Sequence, residues 1–339
     1  MRFARAGCVR PNDLVRNCCS GIHKRQERVF EMSKTYLIAG ATGYLGKHLV
    51  RAAKAAGHHV RALARKPQAV PDCVDEIITA EATDAASLRG VCDGVDVVVS
   101  ALGITRQRDG LAYDDVDYAA NKNILDEALR AGVGRFGYVH VLNADQLLHV
   151  PMVQAKARFA EELERAPIDS TLICPSGFFS DIEEVLAMAR KGRVFLFGNG
   201  GSEVSPIDGR DMAEVCVAAV EAGADKLDVG GPETWTFQGI AELAFEVLGR
   251  PKKVTRIPLR LGTLGVAIAK RIGLGKAVGP LEFFVAASSI NMRAPHHGSR
   301  RLREHFESML TNTPEASSEN VHSFKRRYTV NGTQTVTTS

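Results

Sequence analysis

Three glycines, Gly40, Gly43 and Gly46, follow a short apolar run, Thr35–Ala39, and open a stretch of helical periodicity, Leu45–Ala56. A chain that passes from strand to helix through glycines at this spacing has few folds open to it. Gly40 permits the tight turn, Gly43 lets backbone N–H groups approach an anion, and Gly46 lets helix and strand touch. The helix start adds unpaired N–H donors and a partial positive charge. A second apolar run, His59–Ala64, follows the helix, so the turn belongs to a strand–helix–strand unit. In that setting the turn is expected to cradle a dinucleotide pyrophosphate, with Gly40, Thr42, Gly43, Tyr44, Leu45 and Gly46 around it.

The end of the second strand sets the expectation for the ribose. A site for NAD usually places a carboxylate about 20 residues after the turn, to accept from the 2′-hydroxyl. Here Arg65 and Lys66 occupy that place. A guanidinium suits a 2′-phosphate, so NADP(H) is the expected cofactor.

The same alternation continues along the body. Candidate strands are Tyr36–Ala39, His59–Ala64, Glu76–Thr79, Val95–Ala101, Phe136–Leu142, Ser170–Cys174 and Val194–Phe197. Candidate helices are Leu45–Ala56, Tyr113–Ala131, Val153–Arg165, Ile182–Arg190 and Asp211–Glu221. Strands alternating with helices imply an α/β fold, a Rossmann-type doubly wound parallel sheet covered on both faces. Val97-Val98-Val99, with no polar alternation, fits a central strand of such a sheet. After Phe197 the rhythm breaks: helical stretches Phe237–Leu248 and Leu281–Ile290 flank a glycine-rich apolar segment. The expected organisation is a dinucleotide-binding domain over 34–200 and a small, mostly helical substrate-side lobe over 201–310.

Charge and cysteine usage exclude some partners. Residues 1–33 hold seven basic and three acidic residues, which accounts for the whole net charge of +4. The remaining body is neutral and gives no electrostatic reason to expect nucleic acid. Seven cysteines without C-x-x-C spacing fit a reducing compartment better than a disulfide framework. No apolar run reaches the roughly 18 residues of a membrane span, and no metal-ligand spacing is present, so neither stable insertion nor a metal is expected. Residues 1–33 lack periodicity and read as a disordered leader, with Met32 a candidate start; residues 311–339 are rich in Ser, Thr and Asn and read as a disordered tail. A cytoplasmic protein is expected, with an organelle reached through the basic leader as the alternative.

By its motifs the chain resembles the atypical, NmrA-like short-chain dehydrogenase/reductases. The stretches that carry the likeness are Gly40–Gly46, Val60–Arg65, Asp96–Gly103, Val116–Ala128, Cys174–Phe179 and Gly198–Asp211. Within that family it is similar to the branch containing divinyl (proto)chlorophyllide 8-vinyl reductases, at Gln154-Ala155-Lys156 and Pro175–Phe179. The resemblance implies that Asp84 meets the adenine and that Ala101, Leu102 and Gly103 pack beside the adenine ribose. It implies that Lys156 hydrogen-bonds the nicotinamide ribose, and that Pro175 and Phe178 lie in the loop against the nicotinamide.

The departures from the family are as informative. Met152 stands where the catalytic tyrosine belongs, Val141 where the strand-end serine belongs with His140 before it, and Asp117 where the helix asparagine belongs. Cys174 stands where relatives often carry arginine. Methionine neither gives nor takes the proton that carbonyl reduction requires. Lys156, His140 and Asp117 are therefore the candidate catalytic residues. Two readings follow: an NADPH-dependent reductase acting on an activated C=C or similar bond of a bulky apolar substrate, or a non-catalytic NADP(H) sensor or scaffold. Divinyl chlorophyllide 8-vinyl reduction is a further alternative.

Overall fold

A computed structural model describes residues 33–104 and 110–311. The leader up to residue 32 and the tail from residue 312 lie outside the described residues. In chain order come β1 (Thr35–Ala39), α1 (Tyr44–Ala55), β2 (His59–Ala64), β3 (Glu76–Thr79) and β4 (Val97–Ser100). A π-helical segment, Asp114–Ala120, runs into α2 (Asn121–Ala131), followed by β5 (Arg135–Val139), α3 (Pro151–Arg165) and β6 (Asp169–Pro175). Then come α4 (Phe179–Arg190), β7 (Val194–Phe197), β8 (Glu203–Val204), α5 (Gly209–Glu221), β9 (Lys226–Val229) and β10 (Trp235–Thr236). The described chain closes with α6 (Phe237–Val247), β11 (Val254–Ile257), α7 (Leu259–Arg271), α8 (Gly275–Ala287) and α9 (Leu302–Thr311).

Seven strands form one parallel sheet in the order β3-β2-β1-β4-β5-β6-β9. Alternate residues of the central strands face opposite layers, as a pleated strand requires. Tyr36, Ile38, Val97 and Val99 pack against α1 and α5, whereas Leu37, Ala39 and Val98 pack against the α2 and α3 side. This is the expected doubly wound sheet. The strand order reverses between β1 and β4, which opens a crevice beyond their C-terminal ends.

The sheet runs past residue 200. Its edge strand β9 is Lys226–Val229, and α5 covers one face. β9 escapes a hydrophobic-pattern reading because an edge strand that is largely half-buried carries only Leu227 and Val229 as apolar signal. Val194–Phe197, expected among the strands, pairs with β11 in a separate two-stranded ribbon. The glycine-rich segment after it is helical: α7 and α8 form a hairpin packed on each other.

Candidate functional site

The turn after β1 has the geometry its glycines imply. Gly40 takes φ +79°, and a Cβ there would lie 3.1 Å from the Ala101 carbonyl. Gly43 N–H donates to Gly40 O at 2.9 Å and closes the turn. A Cβ on Gly46 would fall 2.0 Å from Gly40 O, so no other residue fits while helix and strand hold this distance. Helix α1 starts at Tyr44 with no side-chain cap and no acid in its first turn. Among the described residues no side chain caps its first N–H groups, which suits an anion-binding helix start. These residues fit a dinucleotide pyrophosphate.

Across the crevice, the loop after β4 is held by Asn121. Its Oδ1 accepts from Ser100 Oγ at 2.5 Å, and its Nδ2 donates to Asp117 O at 3.0 Å and Val116 O at 3.2 Å. Ser100 Oγ in turn accepts from Leu102 N–H at 3.2 Å. These amide bonds take up carbonyls at the π-helical turn, where the backbone ladder shifts register; such turns recur at functional sites. Sequence reading placed the family's asparagine at Asp117 and passed over Asn121. The available signal was an asparagine one helical turn further on, among apolar neighbours in a segment expected to be helical.

Gly103, Asp117 and Lys156 meet at one point. A Cβ on Gly103 would lie 2.6 Å from Asp117 Oδ1 and 3.0 Å from Lys156 Nζ, so its bare backbone makes room for both. Lys156 Nζ lies 3.4 Å from Asp117 Oδ1 and donates to Val139 O at 3.3 Å. It also stands 5.2 Å over the buried Tyr138 ring. Asp117 is fully buried, its Oδ2 accepting from Ile104 N–H at 3.2 Å. Burial raises its pKa, and the Lys156 ammonium opposes that rise. At 3.4 Å the contact is an ion pair without hydrogen-bond geometry, so Asp117 Oδ1 has no hydrogen-bond partner among the described residues.

His140 follows β5 beside this pair. Burial first, and the charge of Lys156 second, lower its pKa to about 3, so the ring is neutral at pH 7. Its Nδ1 is buried without a hydrogen-bond partner among the described residues. Met152 is partly buried one turn before Lys156 on α3, on the same helix face. A cleft of about 300 Å³ opens at the start of α3, between Tyr113, Pro151, Gln154 and Arg158. A larger one, about 570 Å³, lies between Gln146, Ser202 and Asn291. Neither includes the glycine turn; the first lies closer to the chemistry because it borders the helix that carries Lys156.

Phe178 is half-buried, its ring 5.9 Å edge-on from that of Tyr44, so the loop after Pro175 reaches the glycine turn. At the other end of the crevice, Arg65 and Lys66 are exposed just after β2. Arg65 Nη1 lies 3.6 Å from Glu81. The Asp84 carboxylate accepts from Ala86 N–H at 3.0 Å and caps a local turn.

Comparison with known proteins agrees with this geometry. Residues 40–222, more than half of the chain, match the model of a family described as NAD(P)H-binding. The photosystem II assembly factor Ycf39 of Guillardia theta is 25% identical over 233 residues, which cover 66% of this chain and 74% of that protein. The chloroplastic divinyl chlorophyllide a 8-vinyl-reductase of Oryza sativa subsp. indica is 27% identical over 321 residues, covering 81% and 78%. Among solved structures, the NADPH complex of the Escherichia coli quinone oxidoreductase QOR2 superposes with a TM-score of 0.64 at 19% identity, covering 82% of this chain and all of the other. An isoflavone reductase superposes with a TM-score of 0.63 at 17% identity and the same coverage. At such identities the two structures show the fold.

Proposed function

This chain belongs to the NAD(P)H-binding family, as an atypical short-chain dehydrogenase/reductase, and on that premise we propose that it is an NADPH-dependent reductase of an activated C=C bond in a bulky apolar substrate. The observation that carries the reading is the Lys156–Asp117 pair, brought up to the loop after β4 beside the glycine turn. A buried ion pair costs desolvation that two apolar residues would not, so its place at the crevice supports a working role.

Residues of the glycine turn and the start of α1 hold the pyrophosphate, and Arg65 with Lys66 faces the 2′-phosphate. When bound in its reduced form, the cofactor supplies a hydride equivalent. Lys156 would hold the nicotinamide ribose, and Asp117 with Val139 O keeps its ammonium aimed. Met152 gives a wall without a proton. An activated alkene would tolerate that loss, because completing its reduction needs a proton only at carbon, which water can supply. His140, neutral at pH 7, serves by hydrogen bonding and not as a charged acid.

A second reading, an NADP(H) sensor or scaffold without turnover, is favoured by Met152 itself. The relatives divide along the same line, into a reductase and an assembly factor. The reductase relatives make divinyl chlorophyllide a candidate substrate, and their chloroplastic setting supports the organelle reading of the basic leader. The deciding experiment is NADPH oxidation with enones, quinones and divinyl chlorophyllide, run beside a direct measurement of NADPH affinity. Oxidation that Lys156→Ala suppresses supports the reductase. Tight NADPH binding with no oxidation by any of them replaces it with the sensor.

A further inference from the structure

Helix α7 turns its apolar side outward. Gly262 and Val266 are its buried residues, whereas Leu261, Leu264 and Ile268 are each more than half exposed. Ile272 and Leu274 in the following turn, and Leu281 on α8, extend the patch. Six of the ten large apolar side chains exposed among the described residues lie on this one hairpin, so the patch is not ordinary scatter. At 3.6 residues per turn, Leu261, Leu264, Ile268 and Ile272 share an arc of about 80°.

Charge on the same segment has one sign. Between Glu246 and Glu282 the chain has eight basic residues and no acid, although the chain beyond residue 33 is neutral overall. Arg260 and Arg271 are exposed and fall beside one edge of the apolar arc. Neither makes an ion pair among the described residues, while Lys252 and Lys270 pair with Glu242 and Glu282.

We infer that the α7–α8 hairpin is a membrane-surface dock that seats the protein on anionic lipid bilayers. Leu261, Leu264, Ile268 and Ile272 enter the acyl boundary, and Arg260 and Arg271 meet lipid phosphates. A second copy of the chain does not suit the patch, because a symmetric contact would bring two uniformly basic segments together. Among the described residues no helix is long and apolar enough to cross a membrane, so the hairpin lies on the surface. The inference holds whether or not the protein turns over a substrate.

The test is flotation of the full chain with phosphatidylcholine vesicles, with and without phosphatidylglycerol. Two variants accompany it: Leu264→Gln with Ile268→Gln, and Arg260→Gln with Arg271→Gln. All four positions are exposed, so thermal midpoint and NADPH affinity should stay at wild-type values. The wild type should float with the anionic vesicles, less so in high salt, and each variant should lower its partitioning roughly tenfold or more. Absence of flotation would overturn the dock. So would flotation unchanged in both variants, which would assign lipid binding to the basic residues 1–33. A concentration-dependent dimer that the apolar variant dissolves, with no flotation, would assign the patch to a second copy.

Discussion

Lys156 Nζ lies 3.4 Å from the carboxylate of Asp117, a residue with no solvent exposure. Removing one member of such a pair strands the other charge in a poorly solvated place, at roughly 3–5 kcal/mol. Lys156→Met and Asp117→Asn should each therefore unfold at lower denaturant than wild type. The double variant Lys156→Met, Asp117→Asn should recover most of that loss, because no charge is left buried. Denaturant unfolding of the single and double variants closes the cycle. Losses that simply add would mean that the two residues do not act as a pair.

The depressed pKa of His140 gives the protein an acid-sensitive limb. The unfolded ring titrates near 6.5 and the folded one at about 3, so between these values the unfolded chain binds more protons. Stability from this group is complete above pH 6.5 and is lost as pH falls toward 3, by up to about 5 kcal/mol at 1.36 kcal/mol per unit. In His140→Gln the fall in thermal midpoint from pH 7 to pH 4 should be shallower than in wild type. Parallel curves would remove His140 as its source.

Gly43 and Gly46 should respond differently to the same methyl group. At Gly46 the added Cβ meets backbone at 2.0 Å, so helix α1 must move away from β1; at Gly43 the closest approach, also to Gly40 O, is 3.2 Å. Gly46→Ala is expected to lose NADPH binding together with several degrees of thermal midpoint. Gly43→Ala should keep its fold and lose affinity alone. Fluorescence titration with NADPH and a melting curve on each variant separate the two outcomes, and equal effects would contradict the contact geometry.

The glycine turn, the sheet and the position of Lys156 were legible in the sequence because each rests on local chemistry: a spacing, a period, a neighbouring motif. Asn121 was not, because its importance comes from Ser100 and Leu102, which approach it only when β4 and the helix after it pack together. Helix α7 was hidden for a different reason. Its Leu261, Leu264 and Ile268 have helical spacing but face outward, and with Gly262 and Gly265 between them the stretch reads only as a glycine-rich apolar segment. Gly262 is there because a Cβ would sit 2.7 Å from the Phe197 ring. A glycine selected by a distant aromatic ring carries no local label.

Cofactor choice should depend on the balance between Arg65 and Glu81. The guanidinium lies 3.6 Å from that carboxylate, which competes with a 2′-phosphate for it. A charge-assisted contact to the phosphate is worth about 1.5–3 kcal/mol, so wild type should prefer NADPH over NADH by roughly ten- to hundredfold. Arg65→Ala should lose most of the preference, and Glu81→Gln should increase it. Titration of both cofactors against the three proteins checks this; equal wild-type affinities would leave Arg65 without the role.

Met152 and Lys156 occupy successive turns of one helix face, and their substitutions should separate wall from machinery. Methionine carries no titratable proton, so Met152→Leu keeps the volume and should change any NADPH-dependent rate little. Met152→Tyr introduces the proton donor that the family resemblance implies for this position, and should add ketone reduction if the pocket admits a ketone. Lys156→Ala should lower turnover more than cofactor affinity, since misplacing the hydride donor by about 1 Å can cost on the order of a hundredfold. The first variant's kcat and KM, set beside the third's kcat and its Kd for NADPH, make the comparison. Turnover lost in Met152→Leu and intact in Lys156→Ala would move the active site away from the Lys156–Asp117 pair. If wild type binds NADPH but turns over nothing, Lys156→Ala should weaken binding alone, the signature of a sensor.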